Sequence, residues 1–254
     1  MAGVDVENQE DERARALDAA RGGREKRGYV REMFSDIAPS YDFLNHLLSF
    51  NIDKRWRRRA LRALAWEQRP FGTYLDLCAG TLDIAAELVG RSGFRGRVIG
   101  ADFAEPMLRH GLEKVRGKPV HAVTADALSL PLAPASCDGA IVGFGVRNLT
   151  DLDEGIREVH RVLRPGARFV ILEFTTPPSA MIRAVYHQYF YRLLPRVAGA
   201  ISGNRTAYRY LADSIVNFPS ATELATRMRS AGFGEVRWEL LTFGVAAIHV
   251  GIKS

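Results

Sequence analysis

The feature that most constrains the fold is a regular alternation of short apolar segments with amphipathic ones between residues 73 and 174. Apolar runs that are covered by helices on both faces are typical of the strands of a parallel sheet. The predicted strands are TYLDLC, GRVIGAD, VHAVTA, CDGAIVGF and ARFVILEF, in chain order. The alternation therefore predicts an α/β protein with a mostly parallel sheet.

The end of the chain has a different pattern. Two further strand-like segments, EVRWELLTF and VAAIHVGIK, are separated only by Gly244. A link this short joins antiparallel strands, because a parallel pair needs a long crossover. The sequence thus predicts a seven-stranded, Rossmann-like sheet that ends in an antiparallel hairpin.

The segments outside the alternation define the predicted domain organisation. Residues 1–28 are charged and poor in large apolar side chains, so we expect a mobile tail there. Residues 29–70 carry apolar side chains at three- and four-residue steps, which predicts a helical cap. Residues 174–218 predict an aromatic, helical insertion before the last helix. We expect residues 29–254 to form a single domain.

Composition excludes several classes of protein. No apolar run approaches the roughly 20 residues that span a bilayer, and the N-terminus lacks the apolar segment of a secretory signal. The two cysteines are expected to be reduced core residues of a cytoplasmic protein. The six histidines show no metal-ligand spacing, so we predict no metal site.

The formal net charge of +6 is concentrated in two stretches. One surrounds Trp56 at residues 54–62, and the other lies among the tyrosines and phenylalanines of the predicted insertion. Such surfaces suit anionic lipid headgroups, nucleic acid or plain solvation. We expect peripheral contact with an anionic membrane at its cytoplasmic face and no nucleic acid, and we leave a homodimer open.

The turn after the first strand reads Gly80-Thr81-Leu82-Asp83, with leucine where a G-x-G loop has its second glycine. No G-x-G-x-x-G or nucleoside-triphosphate loop is present, which argues against a dinucleotide. Asp102 ends the second strand, where a carboxylate accepts ribose hydroxyls, although it also suits a helix N-cap. Asp126 follows the third strand, where it suits an exocyclic amine. With the closing hairpin, these features favour a methyltransferase sheet over a dehydrogenase.

Several motifs in order resemble the ubiquinone/menaquinone C-methyltransferases, a family with the class I S-adenosylmethionine-dependent fold. The resemblance covers residues 30–253. It is carried by MFSDIAPSYDFLNHLLSF, DLCAGTLDIA, GADFAEPML, TADALSLPL, GFGVRNLTDLDEGIREVHRVLRPG, LEFTTP, YRYLADSI and GVAAIHVGIKS. It implies methylation of a ring carbon of a polyprenylated quinol precursor, with S-adenosylmethionine as the methyl donor.

The resemblance also assigns roles to individual residues. Cofactor contacts are expected from Gly80, Thr81, Asp102, Asp126, Ala127 and Gly143. Substrate contacts are expected from Asn45, Asn148 and Tyr186, and catalytic roles from Arg147 and Tyr41. Asp53 is a further catalytic candidate that is peculiar to this sequence. Arg147 would stabilise a phenolate and Asp53 would act as the base, with His187 a weaker candidate. An ion-pair role for Arg147 and a helix-capping role for Asp53 stay open.

The chain departs from the family pattern at four residues: Leu82, Gly143, Asn51 and Asp53. Gly143 stands where a serine is usual, and Asn51 and Asp53 stand where glycine and histidine are usual. These departures leave two alternatives to a quinol methyltransferase. One is a methyltransferase for another lipophilic aromatic substrate, and the other is a non-catalytic homologue that binds lipid or serves as a scaffold.

Overall fold

The architecture is taken from a computed structural model that describes residues 2–22, 25–49, 51–193 and 205–254. One seven-stranded sheet has the strand order β3-β2-β1-β4-β5-β7-β6. The strands are β1 (Thr73–Leu77), β2 (Arg97–Asp102), β3 (Val120–Thr124), β4 (Cys137–Gly143), β5 (Leu163–Phe174), β6 (Phe233–Leu241) and β7 (Ala246–Lys253).

The pairing confirms the predicted sheet. Strands β1 to β5 pair in parallel, and β7 pairs antiparallel with both β5 and β6. The strand order reverses at β1 and β4, which lie side by side although β2 and β3 come between them in the chain. Ligands of such sheets bind beyond the carboxyl ends of the strands at this switch point. The sheet therefore positions a site at the ends of β1, β2 and β4.

The helices cover both faces of the sheet, which explains why its strands are apolar throughout. One face packs against residues such as Leu61 and Leu88, and the other against Val159 and Leu224. The helices are α1 (Ala2–Ala20), α2 (Lys26–Leu48), α3 (Ile52–Leu64), α4 (Asp83–Val89), α5 (Glu105–Gly111), α6 (Leu152–Val162), α7 (Ala180–Gln188), α8 (Arg205–Val216) and α9 (Ala221–Ser230).

The N-terminal segment differs from the mobile tail expected at residues 1–28. The structure has α1 and the start of α2 there, and Ala16, Ala19 and Ala20 are buried in a cluster with Tyr210 of α8. Alanine favours helices and lets neighbouring elements approach closely. The expectation relied on the charge content and overlooked this stripe of small side chains.

The helical cap and insertion lie at the carboxyl edge of the sheet. Residues of α2, α3, α7 and α8 together line one cavity there. Residues 194–204 of the predicted insertion lie outside the described residues. Within the described ranges, no helix has the length and apolarity needed to cross a membrane.

Candidate active site

The turn between β1 and α4 has an unusual backbone. Cys78 and Leu82 have φ angles of 50° and 63°, and Gly80 lies between them with φ 51°. The Leu82 N–H donates to the Ala79 carbonyl at 2.8 Å, which closes the turn directly before α4. A left-handed non-glycine residue costs about 1–2 kcal/mol, and such residues cluster at functional sites. The turn therefore keeps a glycine-like conformation at Leu82.

The Leu82 side chain lies in the core. It is fully buried and packs in a cluster with Ala85 and Leu88. A Cβ placed on Gly100 of β2 would stand 2.5 Å from Leu82 Cδ2, so the leucine uses space that a side chain at position 100 would need. Burying a leucine stabilises the fold by about 1.5–3 kcal/mol, which offsets the left-handed backbone. The departure at Leu82 therefore leaves the ligand side of the turn open.

Asp102 holds the turn from the end of β2. Its Oδ2 accepts the Gly80 N–H at 2.8 Å, and its Oδ1 accepts the Ala104 N–H at 2.8 Å, directly before α5. Burial raises the pKa of Asp102, against the opposing effect of these N–H groups. Each carboxylate oxygen can accept a second hydrogen bond, which matches the two hydroxyls of a ribose. Asp102 thus binds the backbone at two points and keeps acceptor capacity for the ligand role that the sequence predicts.

A narrow cleft runs along the ends of these strands, in two parts that share Cys78, Asp102 and Phe103. One part lies against β3 and the other against the glycine turn. The cleft brings together five of the six residues predicted to contact the cofactor: Gly80, Asp102, Asp126, Ala127 and Gly143. Thr81 is different, because its hydroxyl donates to Asp42 Oδ1 of α2 at 2.5 Å.

The chemistry of the cleft fits S-adenosylmethionine. Asp102, at the end of β2, provides acceptors for a ribose. Asp126, which follows the neighbouring strand β3, provides a carboxylate for an adenine amine. The Oδ1 of Asp126 accepts the Leu128 N–H at 3.0 Å, and its Oδ2 meets Arg27 Nη2 at 3.1 Å. Arg27 belongs to α2, so the cap helix contacts the adenine end of the cleft. A ligand that binds Asp126 must share or displace that contact.

Gly143 faces the end of the Ile84 side chain. A Cβ at this position would stand 2.6 Å from Ile84 Cδ1. Ile84 belongs to α4 and is buried in the core. The isoleucine therefore occupies space that a serine at position 143 would use, and the cleft gains no polar group there.

A cavity of about 360 Å³ lies next to the cleft under the cap helices. Phe34, Tyr41 and Phe144 line both spaces. Most of the cavity wall is apolar. Its aromatic members are Phe34, Trp56, Phe144, Phe174, Tyr186 and Tyr189, and its polar groups include Tyr41, Ser49, Asp53, Arg57, Arg147 and Tyr210.

Phe144 lies at the junction of the cleft and the cavity. Its φ is 63°, a left-handed conformation that is costly for an aromatic residue. Its ring lies 4.7 Å from that of Phe174 and 6.1 Å from that of Trp56. The strained backbone thus presents an aromatic ring at the point where the cleft meets the cavity.

Arg147 and Glu173 form a buried ion pair beside this junction. Arg147 Nη1 lies 2.8 Å from Glu173 Oε1 and also donates to the Phe144 carbonyl. Burial opposes the charge on Arg147, but Glu173, Tyr41 and Tyr210 outweigh it and raise the pKa of the guanidinium. Among the described residues, the buried Arg147 Nε has no hydrogen-bond acceptor. Arg147 therefore brings a permanent cation to the wall of the cavity, and its Nε is an unpaired donor within that wall.

Asp53 is buried in the cavity wall. Ser49 Oγ donates to Asp53 Oδ1 at 2.6 Å, and Arg57 Nη2 lies 3.5 Å from Asp53 Oδ2. Asp53 lies in the first turn of α3, but the residue directly before this helix is Asn51, with φ 58°. Asparagine tolerates this left-handed conformation better than most residues.

Further ion pairs connect Asp53 with the glycine turn. Arg57 also pairs with Asp83 of α4, Asp83 lies 2.6 Å from Lys114, and Lys114 pairs with Asp42. Asp42 in turn accepts the Thr81 hydroxyl. The network connects α2, α3 and α4. The predicted cofactor residue Thr81 and the predicted base Asp53 are therefore joined by one chain of ion pairs and hydrogen bonds.

The remaining predicted residues separate into two groups. Tyr41 and Tyr186 line the cavity with Arg147 and Asp53. Asn148 lines the cleft instead, where its Oδ1 accepts the Tyr210 hydroxyl at 3.1 Å. The side chain of Asn45 lies outside the described residues.

Sequence reasoning missed three polar residues of the site. Glu173 holds Arg147, and its position at the end of an apolar strand was an available signal. Asp42 is part of the YDFLN motif, but only its contacts with Thr81 and Lys114 reveal its role. Arg27 lies in a segment expected to be mobile, so nothing in the sequence indicated its contact with Asp126.

The basic stretch at residues 54–62 does not form a uniform surface. Arg57 is largely buried in the ion-pair network. Arg59 makes two hydrogen bonds of 2.6 Å to Glu239. Only part of the stretch, including Lys54, Arg55 and Arg58, is therefore available to a partner.

The strand order, the closing antiparallel pair and the acidic cleft at the switch point define a class I S-adenosylmethionine-dependent methyltransferase. The fold is similar to that of a methyltransferase of this kind from Thermotoga maritima, with a TM-score of 0.58, 19% sequence identity and coverage of 87% of this chain and 100% of the other. The model of the ubiE/COQ5 methyltransferase family matches residues 22–253, and the chain belongs to that family.

Curated relatives agree with this assignment. A demethylmenaquinone methyltransferase of Thermus thermophilus is 51% identical over 221 residues, which cover 86% of this chain and 99% of the relative. A ubiquinone/menaquinone biosynthesis C-methyltransferase UbiE of Geobacter sulfurreducens is 42% identical over 233 residues, which cover 90% of each chain. The similarity therefore extends over nearly the whole length of both relatives.

Proposed function

We propose that this protein transfers a methyl group from S-adenosylmethionine to a ring carbon of a polyprenylated hydroquinone in menaquinone or ubiquinone biosynthesis. The observation that carries the proposal is the aromatic-lined cavity of about 360 Å³ beside the cofactor cleft, with Arg147 in its wall. Its volume lies within the range of about 300–1,000 Å³ that is typical of small-molecule sites. The printed activities of the two relatives support the same reaction.

The aromatic wall suits a quinol ring. The rings of Phe144 and Phe174 lie 4.7 Å apart with an angle of 36° between their planes, and Trp56 stands edge-on to Phe174 with ring centroids 6.3 Å apart. Flat apolar surfaces exclude water from the reacting atoms and hold a ring in a limited set of orientations. Tyr41 contributes to both the cleft and the cavity, so it suits a role in orienting the ring towards the methyl donor.

Arg147 activates the substrate oxygen in this proposal. S-adenosylmethionine supplies an electrophilic methyl group, and a ring carbon becomes nucleophilic when the neighbouring hydroxyl loses its proton. A phenol has a pKa of about 10, so a fixed cation is needed to favour the phenolate near neutral pH. The Nε donor of Arg147, which has no acceptor among the described residues, suits this oxygen. Glu173 holds the guanidinium in place.

Asp53 accepts the hydroxyl proton in the same proposal. Its carboxylate is buried, lines the cavity and is oriented by Ser49 and Arg57. A carboxylate is a much weaker base than a phenolate, so proton transfer depends on Arg147 making the substrate hydroxyl more acidic. Leu82 gives no support to a non-catalytic role, since its side chain packs in the core.

We further propose that the protein acts from the cytoplasmic side of the membrane that holds its substrate. A polyprenyl tail stays in lipid, so the enzyme must collect the ring at the bilayer surface. The exposed cations of α3 and the cavity opening described below support this arrangement.

The test is methyl transfer by purified protein. Reduced demethylmenaquinol and the reduced ubiquinone precursor, each with a short prenyl tail, are supplied separately with S-adenosylmethionine. We expect mass spectrometry to detect a C-methylated product from at least one. If neither quinol is methylated by protein that binds S-adenosylhomocysteine, the proposed function is wrong. Analysis of quinones in cells that lack the protein then identifies the natural substrate.

A further inference from the structure

The cavity opens to solvent between α7 and the turn Thr242–Gly244. Val185 of α7 and Thr242 both line the cavity, and both are exposed, Val185 to 66%. Residues that are exposed and also line a cavity mark its mouth. A Cβ on Gly244 would stand 2.6 Å from Pro178 Cδ, so this turn packs against the segment that leads into α7. The mouth is therefore framed by two adjacent elements.

Two large apolar side chains stand on the outer side of this mouth. Met181 precedes Val185 by one helical turn and is 76% exposed. Phe243 is next to Thr242 and is 78% exposed. Residues four apart lie on the same side of a helix, so Met181 and Val185 continue one apolar strip towards the mouth. We call Met181, Val185 and Phe243 the apolar rim.

Phe243 is unfavourable for folding in two respects. Its φ is 58°, which costs about 1–2 kcal/mol for a residue with a side chain. Its ring also gains little burial within the chain. Glycine would relieve the backbone, and a polar residue would suit the exposure. A strained, solvent-facing aromatic ring beside a ligand mouth indicates a binding role.

Exposed cations lie on the two helices next to the rim. Arg183 is an exposed residue of α7, two positions from both Met181 and Val185 and therefore on the opposite side of the helix from this apolar strip. Arg55 is exposed and lies one helical turn before Arg59, whose pairing with Glu239 directs that side of α3 towards β6. The Trp56 Nε1–H donates to Thr242 Oγ1 at 3.0 Å, which joins α3 to the turn that carries Phe243. The apolar rim thus combines exposed apolar side chains with positively charged arginines on the neighbouring helices.

We propose that the apolar rim inserts into the surface of an anionic lipid bilayer, so that the cavity mouth opens directly onto the membrane. This inference rests on the proposed function, because it explains how a ring enters the cavity while its tail remains in lipid. Apolar side chains surrounded by cations are the composition of membrane-surface anchors. A second copy of the chain fits less well. A stable interface buries about 800 Å² per partner, far more than three side chains provide, and the cations would repel their copies.

The proposed membrane surface uses only part of the two stretches that the sequence indicated. Arg57 and Arg59 of the basic stretch are held by Asp83 and Glu239 and do not contribute free charge. The apolar rim supplies the inserted part, and Arg55 and Arg183 supply the charge. The orientation follows from the cavity mouth, which faces the bilayer in this arrangement.

The first test is binding to vesicles of phosphatidylcholine and phosphatidylglycerol, measured by co-sedimentation. The test variant combines Met181→Ser with Phe243→Asn, because asparagine tolerates the left-handed backbone. The matched control is Phe71→Asn. Phe71 is 79% exposed and precedes β1, at the edge of the sheet opposite the cleft. We expect at least tenfold weaker binding for the test variant, in line with loss of about 1.4 kcal/mol or more of apolar burial, and unchanged binding for the control.

Two results would overturn the docking surface: unchanged binding of the test variant, or an equal loss in the Phe71 control. Sedimentation that detects a dimer in the parent protein and a monomer in the test variant would instead assign the rim to a second copy. Circular dichroism checks that each variant is folded.

Activity separates this inference from the proposed function. The test variant should methylate a short-tailed quinol in solution at the parental rate, because neither substituted residue lines the cavity. Its rate with long-tailed quinol in vesicles should fall at least tenfold. If the parent protein binds vesicles through the rim but methylates neither quinol, the docking surface stands and the proposed function fails. Equal rates of parent and variant on long-tailed quinol in vesicles would contradict the inference.

Discussion

The Leu82 side chain fills the space in the core that a side chain at position 100 would need: a Cβ on Gly100 would stand 2.5 Å from Leu82 Cδ2. The leucine lies at the start of α4 and the glycine in β2, on facing sides of the packed layer. The leucine can therefore occupy a left-handed turn position because the strand leaves it room. The pair explains why a missing glycine in the turn leaves the cleft open.

Leu82→Gly should lower stability, although it relieves the backbone. The loss of a buried leucine costs about 2–5 kcal/mol, and relief of the left-handed conformation returns about 1–2 kcal/mol. Adding Gly100→Leu refills the space, so the double variant should regain at least half of the loss in urea unfolding. Calorimetry with S-adenosylhomocysteine should give affinities within about threefold, because this side chain does not line the cleft. If Leu82→Gly bound S-adenosylhomocysteine tenfold more tightly than the parent protein, the left-handed backbone at Leu82 would be weakening ligand binding.

Asp102→Ala should weaken S-adenosylhomocysteine binding at least tenfold. The loss of charge-assisted hydrogen bonds to a ribose corresponds to about 1.5–3 kcal/mol. Asp138→Ala is the matched control, since Asp138 lies at the opposite end of β4 and pairs with Arg69 and Arg164. Calorimetry measures both. Equal affinities for the parent protein and Asp102→Ala would contradict our position for the ribose.

Removal of Arg147 should affect the chemical step more than cofactor binding. Arg147→Met alone leaves Glu173 as an unpaired buried charge, which costs about 3–5 kcal/mol of stability. Combining it with Glu173→Gln removes that charge. The double variant should fold and bind S-adenosylhomocysteine within threefold of the parent, while kcat falls about 100-fold or more. A kcat within fivefold of the parent would mean that the Arg147–Glu173 pair stabilises the fold and takes no part in the reaction.

Asp76 should make stability depend on pH. Burial under the glycine turn raises its pKa to about 7, despite the Ala85 N–H that donates to Oδ2 at 3.0 Å. The folded state therefore holds a proton that the unfolded chain releases near pH 4, and this stabilisation is lost as pH rises from about 4 to 7. Asp76→Asn keeps an acceptor for Ala85 and should flatten the dependence.

Thermal unfolding between pH 5 and pH 8 measures the effect. Asp76→Asn should be more stable than the parent at pH 8, with a smaller difference at pH 5. Glu113→Gln, at an exposed carboxylate, is the control for a change of charge. Parallel pH profiles for the parent and Asp76→Asn would show that Asp76 is not the group responsible.

Arg27 should compete with the cofactor for Asp126. The contact is partly exposed, with the Arg27 side chain 65% accessible, so it contributes at most about 1 kcal/mol. Arg27→Gln should therefore tighten S-adenosylhomocysteine binding by up to about fivefold. Arg31→Gln, one turn later on α2, should leave it unchanged. Weaker binding of the Arg27 variant would mean that the arginine contacts the ligand itself.

The sheet could be predicted from the sequence, because a strand that is buried on both faces must be apolar along its length. The sequence also predicted the chemistry of the cleft. Asp102 and Asp126 follow predicted strands, and parallel strands end at one edge of the sheet, so local position was enough to bring them together. The antiparallel end followed from the short link at Gly244.

The tertiary structure decided what depends on partners distant in the chain. Arg147 was a candidate from its motif, but only packing gives it Glu173 and a buried environment. Thr81 is adjacent to the cleft in sequence, yet its hydroxyl is bound by Asp42 of the cap. Leu82 departs from the glycine pattern of the turn, and only its packing against Gly100 explains how the turn accommodates a leucine. Local patterns report the periodicity of one segment, whereas these roles arise from steric and electrostatic contacts between segments, which exist only in the folded chain.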